Sequence, residues 1–292
     1  MERRDFLKIM IGSTLLPRGM FGQETPAAEE RKYDHNKVVI LSDTHVGVSS
    51  GQWQRDGLAA RIATVLMMDP LPGCVLILGD MAYEHGDVAD YELFKAMMEP
   101  LDKAGIPWYP MMGNHDDRDA FFSVFPERKS ALVADRLVTV VKTPRSDFVL
   151  LDSLKEGKIG GTLDEKQRAW LKSFLSGRKK STFICAHHSI YDTKLQTLLE
   201  KSPCVVGYFH GHLHSWQERR TNKGLYCISV PSSGQWGDIG YVLLTQNSLR
   251  ARLVSTIVDY YYPMPKEPPK PEWLERINRK NGREVVIPFG KA

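Results

Sequence analysis

Five hydrophobic, strand-like runs in this chain of 292 residues each end in Asp, Asn or His side chains. The polar residues that follow the runs are Asp43 and His45, Asp80, Asn114 to Asp116, His187 and His188, and His210 to His214. In an open α/β sheet the carboxyl ends of the strands meet at one edge, and binding sites form there. One strand that ends in a histidine is common, but five such ends predict that these side chains converge on a single site.

Strand and helix patterns alternate along most of the chain. Buried strands are predicted at 37–41, 74–78, 107–112, 182–186 and 205–209, and helices at 54–68, 88–101 and 162–175. The last helix begins with Thr162-x-x-Glu165, which is the sequence of a capping box. Paired strands are predicted within 137–151, and later antiparallel strands at 225–230 and 241–258. This alternation is typical of an α/β domain.

The spacing of the polar residues indicates how they approach one another. Asp43 and His45 are two residues apart, as are His212 and His214, so an extended backbone would direct each pair to one side. Glycines stand directly before ligand-type residues at positions 79, 113 and 211. Because glycine permits tight turns and a close approach of the backbone, these positions suit a crowded site.

Composition limits the class of protein to which the chain can belong. Hydrophobic residues make up 42% and charged residues 25%, which are the values of a folded globular protein. The net charge of +4 is scattered, and we expect no nucleic-acid partner because no basic stretch is interleaved with aromatic residues. No apolar run reaches the length of about 18 residues that a membrane span requires, so none is expected in the mature protein.

The two ends of the chain differ from the part between them. Arg3-Arg4, followed by Phe6-Leu7-Lys8 and a short apolar stretch, resembles a twin-arginine export signal. We expect residues 1–30 to be this signal and a linker, which the twin-arginine export machinery would send to the periplasm or outside the cell. The alternative is a frayed amphipathic helix. Five prolines between 263 and 271 indicate a proline-rich tail over 260–292 that lies across the main domain, residues 31–259.

The ordered motifs match a known pattern. Asp43-x-His45, Gly79-Asp80, Gly113-Asn114-His115-Asp116, His187 and Gly211-His212-x-His214 together resemble the calcineurin-like metallophosphoesterase family over residues 38–258. The resemblance implies a four-layer αββα sandwich of two mixed β-sheets flanked by helices, with two metal ions at the strand ends. It also implies hydrolysis of a small phosphomonoester or phosphodiester by a hydroxide that bridges the metals.

Carried over to this sequence, the resemblance assigns seven metal ligands. Asp43, His45, Asp80 and His214 would hold one ion, and Asn114, His187 and His212 would complete the site of a second, with Asp80 shared by both. Carboxylate, amide and imidazole ligands without thiolate suit Mn, Fe, Zn or Co. His115 would protonate the leaving group as general acid, and Asp116 would orient His115.

Three further residues extend this pattern. Tyr83 stands where purple acid phosphatases have an iron-binding tyrosine, but those enzymes lack a histidine at the position of His45. We therefore expect Tyr83, His188 and His210 to lie beside the ligands rather than to bind metal. Two other functions stay open at this point: a non-catalytic scaffold that keeps the fold, and a nuclease that uses the same metal centre.

Overall fold

The computed structural model describes residues 32–261 and 269–290. In chain order the elements are β1 (Tyr33–Leu41), α1 (Gln52–Leu66), β2 (Leu71–Ile77), α2 (Val88–Lys103), β3 (Trp108–Pro110), α3 (Arg118–Val124), β4 (Thr139–Lys142), β5 (Asp147–Leu150), α4 (Glu165–Leu175), β6 (Thr182–Cys185), α5 (Gln196–Glu200), β7 (Val205–His210), β8 (Gln217–Arg220), β9 (Tyr226–Ser229), β10 (Gly237–Gln246), β11 (Arg250–Tyr261), α6 (Pro271–Lys280) and β12 (Glu284–Pro288). The predicted export signal lies outside the described residues. Of the helices within these two ranges, none combines the length and the apolar character that crossing a membrane requires.

Two six-stranded mixed sheets form the centre of the fold. The first has the order β12-β11-β10-β1-β2-β3, in which β1, β2 and β3 are parallel. The second has the order β4-β5-β6-β7-β9-β8, in which β5, β6, β7 and β9 are parallel. The predicted polar residues follow the parallel strands β1, β2, β3, β6 and β7, so both sheets contribute to one site.

The central strands are apolar on both faces because both faces are covered. In β1, Val38 packs in the core between the sheets, whereas Val39 packs in a second core that includes residues of α1 and α2. In β6, Phe183 belongs to the core between the sheets, whereas Ile184 packs in a third core that includes residues of α4. Continuous apolar runs are typical of strands buried in this way. The predicted four-layer αββα sandwich is therefore confirmed.

The C-terminal segment is part of the first sheet. Strand β12 pairs antiparallel with β11, with Val285 opposite Leu253. Val285 and Ile287 are buried in the core between the sheets. Trp273 of α6 is buried, whereas Leu274 is exposed. The sheet thus extends beyond residue 259, where we expected the main domain to end and a tail to begin.

Two local predictions are corrected by the structure. Asp164, not Thr162, caps helix α4, because its side chain accepts a hydrogen bond from the N–H of Gln167 at 2.8 Å. The strand predicted at 225–230 is antiparallel only to β8 and is parallel to β7.

Candidate metal centre

Four side chains from three strand ends form the first group of ligands. Ligand atoms of Asp43, His45, Asp80 and His214 all lie within 4.8 Å of one another, and all four residues are buried. His214 Nε2 is 3.2 Å from Asp43 Oδ1, and His45 Nε2 is 3.6 Å from Asp80 Oδ2. Carboxylate oxygens and imidazole nitrogens gathered in this way could hold one transition-metal ion.

Asp80 connects this group to a second one. Its Oδ2 atom also lies 3.1 Å from His187 Nε2, and the His187 ring lies 5.2 Å from the ring of His212. Asn114 belongs to the adjoining turn, in which the next residue, His115, donates its backbone N–H to Asp80 Oδ1 at 2.9 Å. The Asp80 carboxylate is therefore placed between the two groups.

His188 lies beside His187 and His212, with ligand atoms of the three within 4.8 Å of one another. Protein partners nevertheless occupy both nitrogens of its ring. Nδ1 is 2.8 Å from Ser153 Oγ, and Nε2 is 2.9 Å from the carbonyl oxygen of Ile159. Because a carbonyl only accepts, Nε2 carries the proton and Nδ1 accepts from the serine hydroxyl. His188 thus ties the ligand loop to the segment before α4 and leaves metal binding to its neighbours.

Left-handed backbone conformations direct the ligands to the site. The φ angles are 50° at Asp43, 44° at His45, 50° at Asp80, 64° at His212 and 47° at His214. The expected extended backbone at these paired ligands is therefore wrong. A non-glycine residue held in this region costs about 1–3 kcal/mol, and such residues cluster at functional sites. The surrounding contacts must therefore stabilise these turns.

Two glycines make room for the ligand carboxylates. A Cβ atom at Gly211 would lie 2.7 Å from Asp43 Oδ2, and one at Gly113 would lie 2.5 Å from the backbone nitrogen of Asp80. Both distances are too short for a side chain, so only glycine allows the backbone to pass here. The predicted close approach at these positions is confirmed.

Backbone carbonyls orient two of the histidines. His187 Nδ1 lies 2.7 Å from the carbonyl oxygen of Leu78, and His214 Nδ1 lies 2.9 Å from that of Trp236. A proton held on Nδ1 by a carbonyl leaves Nε2 as the ligand atom, which is how metal-binding histidines are usually fixed. The indole of Trp236 also stacks on the His214 ring, with 4.2 Å between centroids.

The electrostatics of the site keep its carboxylates ionised. Burial alone would raise the pKa of Asp43, but the nearby His214 and His187 outweigh burial and lower this pKa to about 2. Burial would likewise raise the pKa of Asp80, but the neighbouring His187 and His45 outweigh burial and hold this pKa well below its usual range. Burial lowers the pKa of His187, but Asp80 and Asp43 outweigh it and raise the pKa to about 9. Without a bound ion His187 is therefore protonated at neutral pH, and a metal ion must displace that proton.

Several buried polar atoms of the site have no hydrogen-bond partner within the described ranges: Asp43 Oδ2, both ring nitrogens of His45, Asn114 Oδ1 and His187 Nε2. His187 Nε2 approaches Asp80, but without the alignment of a hydrogen bond. An unpaired buried polar atom costs about 1–3 kcal/mol, so a cluster of them requires an explanation. Nitrogen and oxygen atoms of this kind are ligands for divalent transition metals. The residues therefore fit a metal centre.

His115 stands at the edge of the ligand cluster and is half-buried. Its Nδ1 lies 2.9 Å from the carbonyl oxygen of Glu84, and its ring centroid lies 4.8 Å from that of His45. The carbonyl fixes a proton on Nδ1, so Nε2 is the nitrogen that can exchange a proton. This Nε2 has no hydrogen-bond partner among the residues of 32–261 and 269–290.

Asp116 does not orient His115, contrary to our expectation, since Glu84 takes that role. The Asp116 carboxylate instead accepts hydrogen bonds from the N–H groups of Gly113 at 2.8 Å, Met81 at 3.1 Å and Ala82 at 3.2 Å, and from the Tyr91 hydroxyl at 3.1 Å. It thereby joins the turn that carries Asp80 to the turn that carries Asn114.

Tyr83 and His210 lie next to the site and make other contacts. Partial burial and the neighbouring Glu84 carboxylate, to which the phenol is hydrogen-bonded, raise the pKa of Tyr83. The buried His210 has its Nδ1 3.0 Å from the carbonyl oxygen of Gly211, and burial lowers its pKa to about 4. Of the described residues that cluster as candidate ligands, His210 belongs to neither group.

Three contributors to the site were not predicted: the carbonyl of Glu84, the indole and carbonyl of Trp236, and the carboxylate of Asp238, whose contacts are described below. Backbone carbonyls leave no trace in a sequence. For the indole of Trp236 and the carboxylate of Asp238 the sequence did hold a signal. The glycine- and serine-rich segment 231–237 indicates a loop between two strands, and these two side chains lie at its end.

The two-sheet sandwich carries, at its strand ends, a group of Asp and His side chains that could hold a metal ion. The family model of calcineurin-like phosphoesterases matches residues 36–216. The chain belongs to the calcineurin-like phosphoesterase family, and it is a hydrolase that acts on ester bonds.

Relatives with named activities are similar over part of the chain. A probable glycerophosphodiester phosphodiesterase, GpdQ, of Arcobacter nitrofigilis is 27% identical over 220 residues, which cover 68% of this chain and 79% of the relative. A probable cyclic nucleotide phosphodiesterase of Coxiella burnetii is 29% identical over 159 residues, which cover 53% of this chain and 60% of the relative.

Solved structures share the fold at low sequence identity. A dimetal phosphatase from Danio rerio has a TM-score of 0.65 and 13% identity, and the match covers 87% of this chain and 99% of that one. PhoD has a TM-score of 0.56 and 12% identity, and the match covers 79% of this chain and 67% of that one. At this identity the likeness shows the fold alone.

Proposed function

We propose that the protein hydrolyses phosphodiesters in a metal-dependent reaction in which His115 protonates the leaving group. The proposal depends chiefly on one observation: Asp80 joins two groups of ligands, and the His115 ring lies beside them, with 4.8 Å between its centroid and that of His45. Two ions of Mn, Fe, Zn or Co at the seven ligands would supply an activated water and neutralise charge on the phosphoryl oxygens. The relatives described above are probable phosphodiesterases, which supports this type of substrate.

The residues of the chain prepare the site for this reaction. Asp43 and Asp80 stay ionised because their pKa values are lowered, so they retain the negative charge that holds cations. His115 keeps its Nδ1 proton on the Glu84 carbonyl, so the proton it transfers is the one on Nε2. After the transfer the neutral ring retains the same hydrogen bond and needs no change of tautomer before it is protonated again.

Local charge favours a diester over a monoester. A diester has one negative charge at neutral pH, whereas a monoester has about −1.5 to −2. The largest charge effects on the pKa values of Asp43, Asp80 and His45 come from other members of the site, and none of them is a lysine or arginine. Because no lysine or arginine of the described residues is among these largest charge effects, the ligand cluster suits the smaller charge of a diester.

Bis-p-nitrophenyl phosphate and p-nitrophenyl phosphate, assayed with Mn²⁺, test this preference. We expect kcat/KM for the diester to exceed that for the monoester by at least about tenfold, which corresponds to about 1.4 kcal/mol. Faster monoester hydrolysis, or no metal-dependent turnover of either ester between about pH 5 and 9, would contradict the proposal. A panel of glycerophosphodiesters and cyclic nucleotides then narrows the substrate.

Replacement of His115 by alanine tests its role as general acid. A general acid contributes about 10²–10⁴-fold, and it does so only where the leaving group requires a proton. The variant should therefore lose far more activity on an alkyl diester than on a p-nitrophenyl diester, whose leaving anion is stable without a proton. His35→Ala, at an exposed histidine near the start of β1, is the matched control and should lose no activity. An equal loss on both substrates would count against general-acid catalysis by His115.

We also infer that the protein is exported, because Arg3-Arg4 and the apolar stretch after them resemble a twin-arginine signal. A reporter fused after residue 30 should reach the periplasm, and the double change Arg3→Lys and Arg4→Lys should retain it in the cytoplasm. Export that does not respond to these changes would exclude the twin-arginine route.

A further inference from the structure

The C-terminal helix α6 reaches the metal centre through one buried carboxylate. Asp238, at the start of β10, is fully buried. Arg276 Nε donates to its Oδ1 at 2.6 Å, and Lys280 Nζ donates to its Oδ2 at 2.5 Å. Both cations come from α6. Because a buried carboxylate is stable only when it is paired, α6 is coupled to the position of Asp238.

Asp238 holds the backbone that follows the ligand His214. Its N–H donates to the carbonyl oxygen of His214 at 2.8 Å. Its Oδ2 accepts from the N–H of Trp216 at 2.8 Å and from Ser215 Oγ at 3.0 Å. Lys280 Nζ also donates to Ser215 Oγ at 2.8 Å. The residues that follow His214 are therefore fixed to Asp238 and α6 together.

A second set of contacts leads from Asp238 to the ligand Asp43. The N–H of Ser232 donates to the carbonyl oxygen of Asp238 at 2.9 Å, and Ser232 Oγ donates to the carbonyl oxygen of Asp43 at 2.8 Å. Asp43 and His214 are in turn adjacent, with 3.2 Å between Oδ1 and Nε2. Both ligands have left-handed φ angles, and such a conformation persists only where its surroundings enforce it.

We propose that Arg276 and Lys280 are positioning residues of the metal centre, which act through Asp238 on His214 and Asp43. Without the two cations the buried carboxylate loses its counter-charge, and the turn that it holds can relax from the geometry that binds metal. Groups that hold metal ligands in place typically contribute about 10- to 100-fold to metal affinity, and Arg276 and Lys280 act on the ligands through one intermediate, Asp238. The inference rests on the metal centre of the proposed function, but it does not depend on the substrate.

Lys280→Met and the double variant Arg276→Met, Lys280→Met test this inference. Methionine keeps much of the apolar stem and removes the charge. Arg279→Met is the matched control, since Arg279 is exposed on the same helix and, among the described contacts of Asp238, the two from α6 come from Arg276 and Lys280. The full-length protein is first shown by circular dichroism to be folded, and Co²⁺ binding is then followed by calorimetry and by visible absorption, without substrate.

We expect one of the two binding steps to weaken by about tenfold in Lys280→Met and by up to about 100-fold in the double variant, with an altered Co²⁺ spectrum. Arg279→Met should bind as the wild type does, and Lys280→Arg should restore most of the affinity. If the double variant does not fold, the Co²⁺ binding of Lys280→Met alone decides the inference. Folded Lys280→Met with wild-type affinity and spectrum overturns the inference. Normal metal binding without diester turnover in the wild type would instead contradict the proposed function and leave this inference standing.

Discussion

Replacement of Asp116 by asparagine should destabilise the protein by about 1–3 kcal/mol, because this carboxylate joins two turns that carry metal ligands. One carboxylate oxygen accepts from the N–H of Gly113, and the other accepts from the N–H of Ala82 and the hydroxyl of Tyr91. An amide can offer its oxygen to only one of these sides. On the other side an NH₂ group then faces a buried N–H, at a cost of about 1–3 kcal/mol.

Urea unfolding of the variant and the wild type measures this difference directly. Asp117→Asn is the control, since Asp117 caps α3 by accepting from the N–H of Ala120 at 2.8 Å. Asparagine caps a helix as well as aspartate does, so the control should lie within about 0.5 kcal/mol of the wild type. Metal affinity of Asp116→Asn should also fall, because the turns that hold Asp80 and Asn114 are no longer tied together.

A different result would refute this reasoning. If Asp116→Asn has wild-type stability and metal affinity, but the pH dependence of kcat changes, then the carboxylate acts on His115 rather than on the two turns.

Three further predictions follow from the structure. His187→Ala should reduce the bound metal by one equivalent, whereas His188→Ala should retain both equivalents, because protein partners occupy both nitrogens of the His188 ring. Metal analysis after reconstitution distinguishes the two variants. An equal loss of metal in both would contradict the assignment of His187, and not His188, as a ligand. Metal uptake at pH 7.5 should release a proton from His187, whose pKa in the metal-free protein is raised to about 9. The number of protons released should decline as the pH rises through about 9. Calorimetry in buffers of different ionisation enthalpy measures this release, and binding heats that do not depend on the buffer would refute the prediction. Ile287→Ala should lower the free energy of unfolding in urea by about 2–5 kcal/mol, because the side chain is buried between the sheets. The control Val286→Ala, at a more exposed neighbour, should lower it by less than about 0.5 kcal/mol. Equally small losses in both variants would show that β12 is not part of the core.

The position of the site could be predicted because two signals coincide at each strand end. A run such as Val38 to Leu41 is apolar throughout, which indicates a strand that is buried on both faces. Asp43 and His45 directly after it are expensive to bury without a purpose. Since parallel strands end at one edge of a sheet, polar ends on several strands predict a common site without knowledge of the tertiary structure.

The support of the site could not be predicted in the same way. The left-handed turn at His214 is held by contacts with Gly237 and Asp238, and these residues lie in another part of the chain. Strand β12 did leave a signal, because buried Val285 and Ile287 alternate with exposed residues. The prolines before α6 outweighed that signal, since a proline-rich segment rarely builds a core.

Anomalous diffraction from crystals of the Mn-loaded protein tests the central claim most directly, namely that Asp80 lies between two metal sites. We predict two peaks about 3.5–4 Å apart, with the Asp80 carboxylate between them and His188 bound to neither. A single peak, or a second ion held by His188 in place of Asp80, would contradict the account.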